Sequence, residues 1–257
     1  MEEQFIELCK TGNLDDIKKL IAKQYININV NDEEGLKLAC ENGHLHIVEY
    51  LTNLYKINTN YKIINIYAND EGGFRWACGC GHKHIIEYLT NLYKINTDYT
   101  KVNIHGYDEG GFRWACGNGH LHIVEYLTNL YKINTDYKIV NIHINDEDGL
   151  RWACCNGHLH IVEYLINLHK INRDYKIINI HSNNEEGFRR ACENGHLHIV
   201  EYLINLHKIN RDYKIINIHI NDGQSFMWAY DNGHKYFVKY LLSIGSYLPN
   251  HEYIVLL

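Results

Sequence analysis

The dipeptide Gly-His recurs along this chain at intervals of 38 residues, with no insertion or deletion between copies. The six copies begin at Gly43, Gly81, Gly119, Gly157, Gly195 and Gly233. A fixed period of roughly 20 to 50 residues is typical of proteins that stack one supersecondary unit on the next. In such proteins each unit packs against its neighbours, and function lies on an extended surface rather than in one pocket.

One copy, residues 31–68, predicts two helices and an arm. Residues 31–35 are polar and end in glycine, which indicates a turn leading into a helix. A short first helix follows at 36–40, and an Asn-Gly pair ends it, because glycine accepts the left-handed conformation found there. Apolar residues then recur at helical spacing through 45–54, which predicts an amphipathic second helix. The Ile-rich stretch 63–66 is expected to be a short extended arm.

The stretch from Leu36 to Leu51 resembles the ankyrin repeat. The pattern Leu-x-x-Ala-Ala-x-x-Gly-His-Leu-x-Ile-Val-x-x-Leu is matched by Leu36, Ala39, Cys40, Gly43, His44, Leu45, Ile47, Val48 and Leu51. The match recurs through residues 32–245 and is similar to ankyrin proteins encoded by giant DNA viruses of amoebae. The family's Thr-Pro-Leu-His opening is absent, with Gly35 where its proline would be. The period also exceeds the family's usual length of about 33.

The resemblance implies an all-α, ankyrin-type helix-turn-helix solenoid with 38-residue repeats and extended or hairpin arms between units. We expect residues 1–30 to form an N-terminal capping half-repeat. Six ankyrin-like repeats should follow, the last a C-terminal cap, at residues 31–68, 69–106, 107–144, 145–182, 183–220 and 221–257. Gly245 of the last repeat aligns with Tyr55, where Lys-Ile-Asn follows instead of a glycine stop. The second helix should therefore run about one turn further in the earlier repeats.

The C-terminal tail bears on a possible adaptor role. Leu248-Pro249 followed by Glu252 faintly resembles the opening of an F-box, a domain that recruits ubiquitin ligases. The glutamate stands one residue late, and too little chain follows for the remaining helices. We interpret this tail as the end of the terminal cap.

Charge and hydropathy set the expected surroundings of the chain. The net charge is −6 without a block of like charges, which argues against nucleic acid and anionic membranes as partners. Neither a signal peptide nor a transmembrane segment is visible, since no apolar run approaches the roughly 18 residues that a span needs. We expect an intracellular protein, in the host cytoplasm if the viral resemblance holds, and a monomer.

Five cysteines occupy one column of the repeat: Cys40, Cys78, Cys116, Cys154 and Cys192. Equivalent atoms in packed layers lie roughly 8–10 Å apart, whereas a disulfide needs Cα atoms within about 7 Å. We therefore expect reduced, buried thiols, which suit an intracellular compartment.

Two columns on the first helix are candidate partner-binding residues. They comprise Arg75, Arg113, Arg151 and Arg189, followed by Trp76, Trp114 and Trp152. The resemblance implies that the first helix and the hairpin tips line a concave face where partner proteins bind. Arg and Trp are also the types most enriched at binding hot spots. The alternative is a framework role, in which Trp fills space between repeats and Arg bonds the neighbouring turn.

Residues near the hairpin tips form a second set of candidate partner-binding residues. Positions that differ between copies can give an otherwise repetitive surface its specificity for one partner. The set comprises Tyr67, His105, Tyr107, His143 and His181. The alternative interpretation is neutral drift at solvated positions.

The motif Cys-x-x-x-His-x-His, as in Cys40, His44 and His46, suggests zinc. Histidines two apart on a helix point to different faces, and the same column one layer away is too distant for ligands about 2.1 Å from one ion. We therefore expect no metal and no cofactor. Every Cys, His or Glu that could take part in catalysis occurs in copies layers apart, so we expect no catalytic residues.

The sequence thus predicts a non-enzymatic protein-protein interaction scaffold that binds a host protein. Two alternatives stay open. One is a substrate-recognition adaptor for a ubiquitin ligase without its own F-box, and the other is a His/Cys-rich metal-binding array.

Overall fold

A computed structural model describes residues 1–245 of the chain. The F-box-like residues Leu248, Pro249 and Glu252 lie outside the described part. Within it the chain forms fourteen α-helices and no strand: α1 (Glu2–Thr11), α2 (Leu14–Lys23), α3 (Val30–Glu41), α4 (Leu45–Ile57), α5 (Ala68–Gly79), α6 (Lys83–Ile95), α7 (Gly106–Gly117), α8 (Leu121–Ile133), α9 (Ile144–Cys155), α10 (Leu159–Ile171), α11 (Ser182–Glu193), α12 (Leu197–Ile209), α13 (Ile220–Asp231) and α14 (Lys235–Ser243).

The helices form consecutive pairs, and we call the odd-numbered member helix 1 and the even-numbered member helix 2. The described chain divides into two compact units. The N-terminal unit contains residues 1–115 and 122–140, and the C-terminal unit contains residues 116–121 and the chain from 141 onward. Inside each unit a helix 1 packs against its own helix 2 and against helix 1 of the next pair, as α3 does with α5 and α9 with α11. This is stacking of repeats, as the period predicts, and it is all-α, as the resemblance implies.

Helix 2 has the predicted extra turn. It contains 13 residues in α4, α6, α8, α10 and α12, but 9 in α14, where Gly245 follows with a left-handed φ of 87°. Four residues are about one helical turn, so the replacement of the glycine stop by Lys-Ile-Asn accounts for the difference. None of the helices described is long and apolar enough to cross a bilayer.

Small side chains let neighbouring first helices approach closely. Gly111 lies against the preceding repeat, and a Cβ added there would stand 3.0 Å from Cys78 Sγ. The cysteine column is fully buried, and its thiols are free, as predicted. Burial raises the pKa of Cys40 to about 12, so this thiol stays protonated and packs as a small apolar group.

Candidate functional site

A left-handed turn opens helix 1, where only an ordinary polar turn was predicted. Asn69, Asp70 and Glu71 have φ of 54°, 50° and 63°, and equivalent residues in the repeats on either side share this conformation. Left-handed backbone costs L-residues roughly 1–2 kcal/mol each, and Asn and Asp tolerate it best. Three in succession therefore require compensating contacts.

The predicted arginine column supplies part of that compensation. Arg75 donates from Nε to the carbonyl of Asp70 at 2.8 Å and from Nη2 to that of Asn69 at 2.7 Å. The same two bonds, of 2.7 to 3.1 Å, recur at Arg113, Arg151 and Arg189. The framework alternative placed these bonds on a neighbouring turn, whereas each arginine bonds the turn of its own repeat. The arginines also make contacts beyond that turn. Arg151 and Arg189 make theirs through Nη1, and Arg75 makes its own through the face of its guanidinium.

A buried glutamate ends the turn and joins it to the following arm. Glu71 is 7% exposed, and its Oε1 accepts the backbone N–H of Asn103 at 3.1 Å. Glu33, Glu147 and Glu185 bond the arms at Asn65, Asn179 and Asn217 in the same way. The carboxylates thus hold successive repeats together.

Three of the five hairpin-tip candidates are histidines that contact the turn glutamate of their own repeat. Nδ1 of His105, His143 and His181 lies 2.8, 3.0 and 2.9 Å from the carboxylate four residues later. Tyr67, in the same column, instead donates its hydroxyl to the carbonyl of Thr100 at 2.7 Å.

Because Glu71 has no donor from position 67, its burial dominates and raises its pKa to about 6. Burial also raises the pKa of Glu33, where the Asn65 N–H and the Asn29 amide act in the opposite direction.

In the N-terminal unit the predicted Arg and Trp pack on one another. The Arg75 guanidinium lies 4.5 Å from the ring centre of Tyr107 and 5.1 Å from that of Trp114, which is cation–π geometry. Trp76 and Trp114 meet edge to face with centres 5.0 Å apart. Tyr107 is itself in the left-handed turn and is 58% exposed. The face of this unit is therefore closed by its own aromatic side chains.

In the C-terminal unit the same face opens into a cleft of about 240 Å³, lined by Arg151, Trp152, Cys155, Glu186 and Arg190. Trp152 forms one wall and is 53% exposed. Arg190 stands one repeat after Trp152 in the tryptophan column, so no second indole covers it. Arg151 Nη1 makes an ion pair with Glu186 across the cleft.

Charges surround the tryptophan wall. Burial by itself would raise the pKa of Glu186, but Arg151 and then Arg190, whose Nε lies 3.5 Å away, hold that pKa below its ordinary value. A hydrogen bond of 2.9 Å to Glu193 raises the pKa of Arg190. Cys155 is a half-buried free thiol. The lining residues include no histidine, and the arrangement suits recognition of an apolar group beside a hydrogen-bonding or charged one.

Both histidine columns of the zinc-like motif bond backbone carbonyls of the preceding repeat. His82 donates to Glu41 at 2.8 Å, and His84 donates to Gly43 at 3.1 Å. The His82 ring covers Gly43, where a Cβ would stand 2.8 Å from it and where φ is 79°. Among residues 1–245, no group of three His, Cys, Asp or Glu is placed to hold a metal ion.

Sequence reasoning missed the left-handed turn, the buried glutamates and the cleft. The glutamate was visible as the third residue of each Asn/Asp-rich opening. The cleft was visible as Arg190 in a tryptophan column and as Glu186 in a column whose other members are Glu34, Gly72, Gly110, Asp148 and Gln224. Both are columns in which the repeats differ.

Comparisons with known proteins agree with the fold. Residues 150–250 match the family model described as ankyrin repeats in three copies. An ankyrin repeat protein of Acanthamoeba polyphaga mimivirus is 39% identical over 56 residues, which are 22% of this chain and 9% of that protein. The chain thus matches about a tenth of the length of this relative.

A solved structure of an ankyrin repeat family protein from Legionella pneumophila aligns with 94% of this chain and 71% of its own length. Its identity is 20% and its TM-score is 0.39, values too low to bear on the arrangement of the helices. The family match carries the assignment: residues 150–250 are ankyrin repeats, and the same 38-residue motif continues on their N-terminal side.

Proposed function

We propose that this chain is a protein-recognition scaffold whose main contact is the cleft of the C-terminal unit. Ankyrin repeats are generally protein-protein interaction modules. The observation that carries the proposal is the half-exposed Trp152 beside the cleft, which the framework contacts leave uncovered. Tryptophan and arginine at the centre of an interface are the commonest sources of binding energy.

The chemistry of the cleft suggests what enters it. Its volume fits one or two side chains, and the Trp152 face offers an apolar wall. The side chain of Arg190 is 43% exposed, and such partly exposed ion pairs are worth little, so Arg190 can exchange Glu193 for a carboxylate of a partner. A partner segment with an apolar side chain next to an acidic one fits both features.

The other candidate residues have secondary roles in this proposal. Trp76, Trp114 and Tyr107 would extend the contact in the N-terminal unit, while the arginines and the tip histidines would act mainly by holding the turns in place. We propose in addition that the partner is a host protein and that the chain acts as a monomer in the host cytoplasm and without catalysis. What supports a viral setting is the 56-residue match to an ankyrin repeat protein of a mimivirus.

The test combines capture from host-cell lysate with a thiol footprint. We expect Trp152→Ala with Arg190→Ala to weaken capture at least about tenfold, as loss of a hot spot does. The matched control is Lys235→Ala with Tyr236→Ala on α14, where Tyr236 is 86% exposed. This control should capture as the wild type does.

Cys155 reports the same event without substitution. A bound partner should slow maleimide labelling of Cys155, while the buried cysteine column stays unlabelled in both states. A partner that the cleft variant still captures, and that leaves Cys155 reactive, would place the binding site elsewhere.

A further inference from the structure

An exposed isoleucine ends helix 2 in five successive repeats. Its exposed fraction lies between 67% and 70% in every copy: Ile57, Ile95, Ile133, Ile171 and Ile209. Leu54, one turn before Ile57, is buried. The extra turn of helix 2 thus adds an apolar side chain that the fold does not cover.

Cations surround these isoleucines. The ten residues that begin at each preceding lysine hold twelve Lys and Arg against four Asp, although the whole chain carries −6. All twelve cations are exposed: Lys56, Lys62, Lys94, Lys101, Lys132, Lys138, Lys170, Arg173, Lys176, Lys208, Arg211 and Lys214. The ends of helix 2 and the following arms are therefore basic on an acidic protein.

Successive copies lie side by side within each unit. In the N-terminal unit the Tyr55 hydroxyl bonds the side chain of Asn96 at 3.1 Å, and Tyr93 bonds Asn134 at 3.2 Å. In the C-terminal unit His169 Nε2 lies 3.4 Å from Asp212. These contacts join the end of one helix 2 to the arm that follows the next. Each unit thus presents a row of isoleucines and cations, which we call the isoleucine edge.

We propose that the isoleucine edge binds the surface of an anionic lipid membrane. Apolar side chains that enter the headgroup boundary, flanked by cations that attract acidic lipids, are the two contributions that hold proteins on such surfaces. Contacts in several repeats of one compact unit also add to one another. This proposal is independent of the cleft. It departs from the expectation drawn from net charge, because net charge averages this edge with the acidic remainder.

Two features favour a membrane over other anionic partners. The isoleucine recurs unchanged in all five copies, which suits a uniform surface better than one particular protein. Nucleic acid would gain little from isoleucine, and the tyrosines of the arms that could stack on bases are buried: Tyr61, Tyr99, Tyr137, Tyr175 and Tyr213.

The test is flotation of the full chain with phosphatidylcholine vesicles, with and without phosphatidylserine. We expect wild type to float only with phosphatidylserine and to dissociate as salt rises. Serine at Ile57, Ile95, Ile133, Ile171 and Ile209 should weaken binding at least about tenfold. Glutamine at Lys62, Lys138, Lys176 and Lys214 should do the same.

A matched control carries the same change of charge elsewhere, with glutamine at Lys10, Lys23, Lys235 and Lys239, all exposed. It should bind vesicles like wild type, and circular dichroism checks that each variant is folded. The proposal is overturned if wild type floats with neither vesicle or if the control loses as much as the edge variants. It is also overturned if the serine variant binds normally while duplex DNA displaces the protein, since that result indicates a purely electrostatic polyanion site.

Discussion

The same arginine meets different neighbours in the two units. In the N-terminal unit Arg75 lies over the rings of Tyr107 and Trp114. In the C-terminal unit Arg151 pairs with Glu186, and Arg189 donates to Gln224 at 2.8 Å while its guanidinium lies 5.6 Å from the ring centre of Trp228. The residue 35 positions later differs between these arginines: it is Gly110 after Arg75, Glu186 after Arg151 and Gln224 after Arg189. At Gly110 a Cβ would stand 2.7 Å from Arg75 Cδ, so glycine leaves the space in which the guanidinium reaches the rings.

The tryptophan column separates the units in the same way. Trp76 is followed one repeat later by Trp114, which packs on it, but Trp152 is followed by Arg190. The turn bonds of the arginines are alike in both units, so the backbone framework does not depend on these changes. The column of Gly110 and Glu186 and the column of Trp114 and Arg190 therefore differ between the units where the backbone framework does not. These two columns determine whether the face is closed or open.

The largest effect on stability should come from removing an arginine that bonds the left-handed turn, since both units share these bonds. Arg75→Met, which copies Met227 of the same column, loses two charged hydrogen bonds to the left-handed turn and the stacking on Tyr107. We expect a loss of about 3 kcal/mol in the free energy of unfolding, measured by urea denaturation. Arg75→Lys should lose most of it too, because an ammonium cannot reproduce the two-bond fork.

Lys56→Met is the control for this change, because Lys56 is exposed and bonds no turn. If Arg75→Met costs no more than the control, the guanidinium does not support the left-handed turn.

The next effect concerns Glu71, which differs from its counterparts in both units. Glu109 of the N-terminal unit and Glu147 and Glu185 of the C-terminal unit each meet a histidine four residues earlier, whereas Glu71 follows Tyr67. A carboxyl whose folded pKa is raised from 4.5 to about 6 is most favourable when protonated. The stability of wild type should therefore fall as pH rises through this window, by about 2 kcal/mol from this group.

Tyr67→His supplies the missing donor, lowers the pKa of Glu71 and should recover about 1 kcal/mol at neutral pH. Tyr67→Phe removes the hydroxyl without adding a donor and serves as its control. Urea midpoints measured from pH 4 to 7 compare the three chains. Equal pH profiles for the two variants would show that the donor at position 67 does not set the pKa of Glu71.

The features that could be predicted from the sequence are those that depend on local periodicity. The helix pairs, the extra turn of helix 2 and the buried cysteine column all follow from apolar spacing and from the glycine stop missing at Tyr55. Each of these is a short-range pattern that the chain repeats several times.

The left-handed turn was missed because its stabilisation is not local. Asn69-Asp70-Glu71 looks like an ordinary turn until Arg75 and the arm at Asn103 are brought to it. Predicting the cleft requires more information than predicting the turn. The cleft depends on which side chains come into contact when they are about one repeat apart in the sequence. Sequence identified the arginine and tryptophan columns, but their contacts required the packed repeats.

A smaller effect should follow from Glu186→Gln, which breaks the arginine pairing of the C-terminal unit. We expect a loss of about 1 kcal/mol at neutral pH, since Arg151 keeps its bonds to its own turn. Because Arg151 lowers the pKa of Glu186, this difference should shrink as pH falls through the acidic range where the carboxyl protonates. A difference that stays constant down to low pH would mean that the ion pair contributes nothing to stability.

The smallest change in stability should come from Arg190→Trp, which restores the tryptophan column of the N-terminal unit in the C-terminal one. The exposed ion pairs of Arg190 with Glu186 and Glu193 are weak, and the new ring gains contact with Trp152, so the net change should stay within about 0.5 kcal/mol. The surface should nevertheless change its character, because the indole fills the cleft. We expect slower maleimide labelling of Cys155 and loss of the captured partner, with an unfolding midpoint like that of wild type. Arg190→Lys, which keeps the charge and leaves the cleft open, should retain the partner. A partner retained by Arg190→Trp would show that the break in the column is not what makes this unit a binding surface.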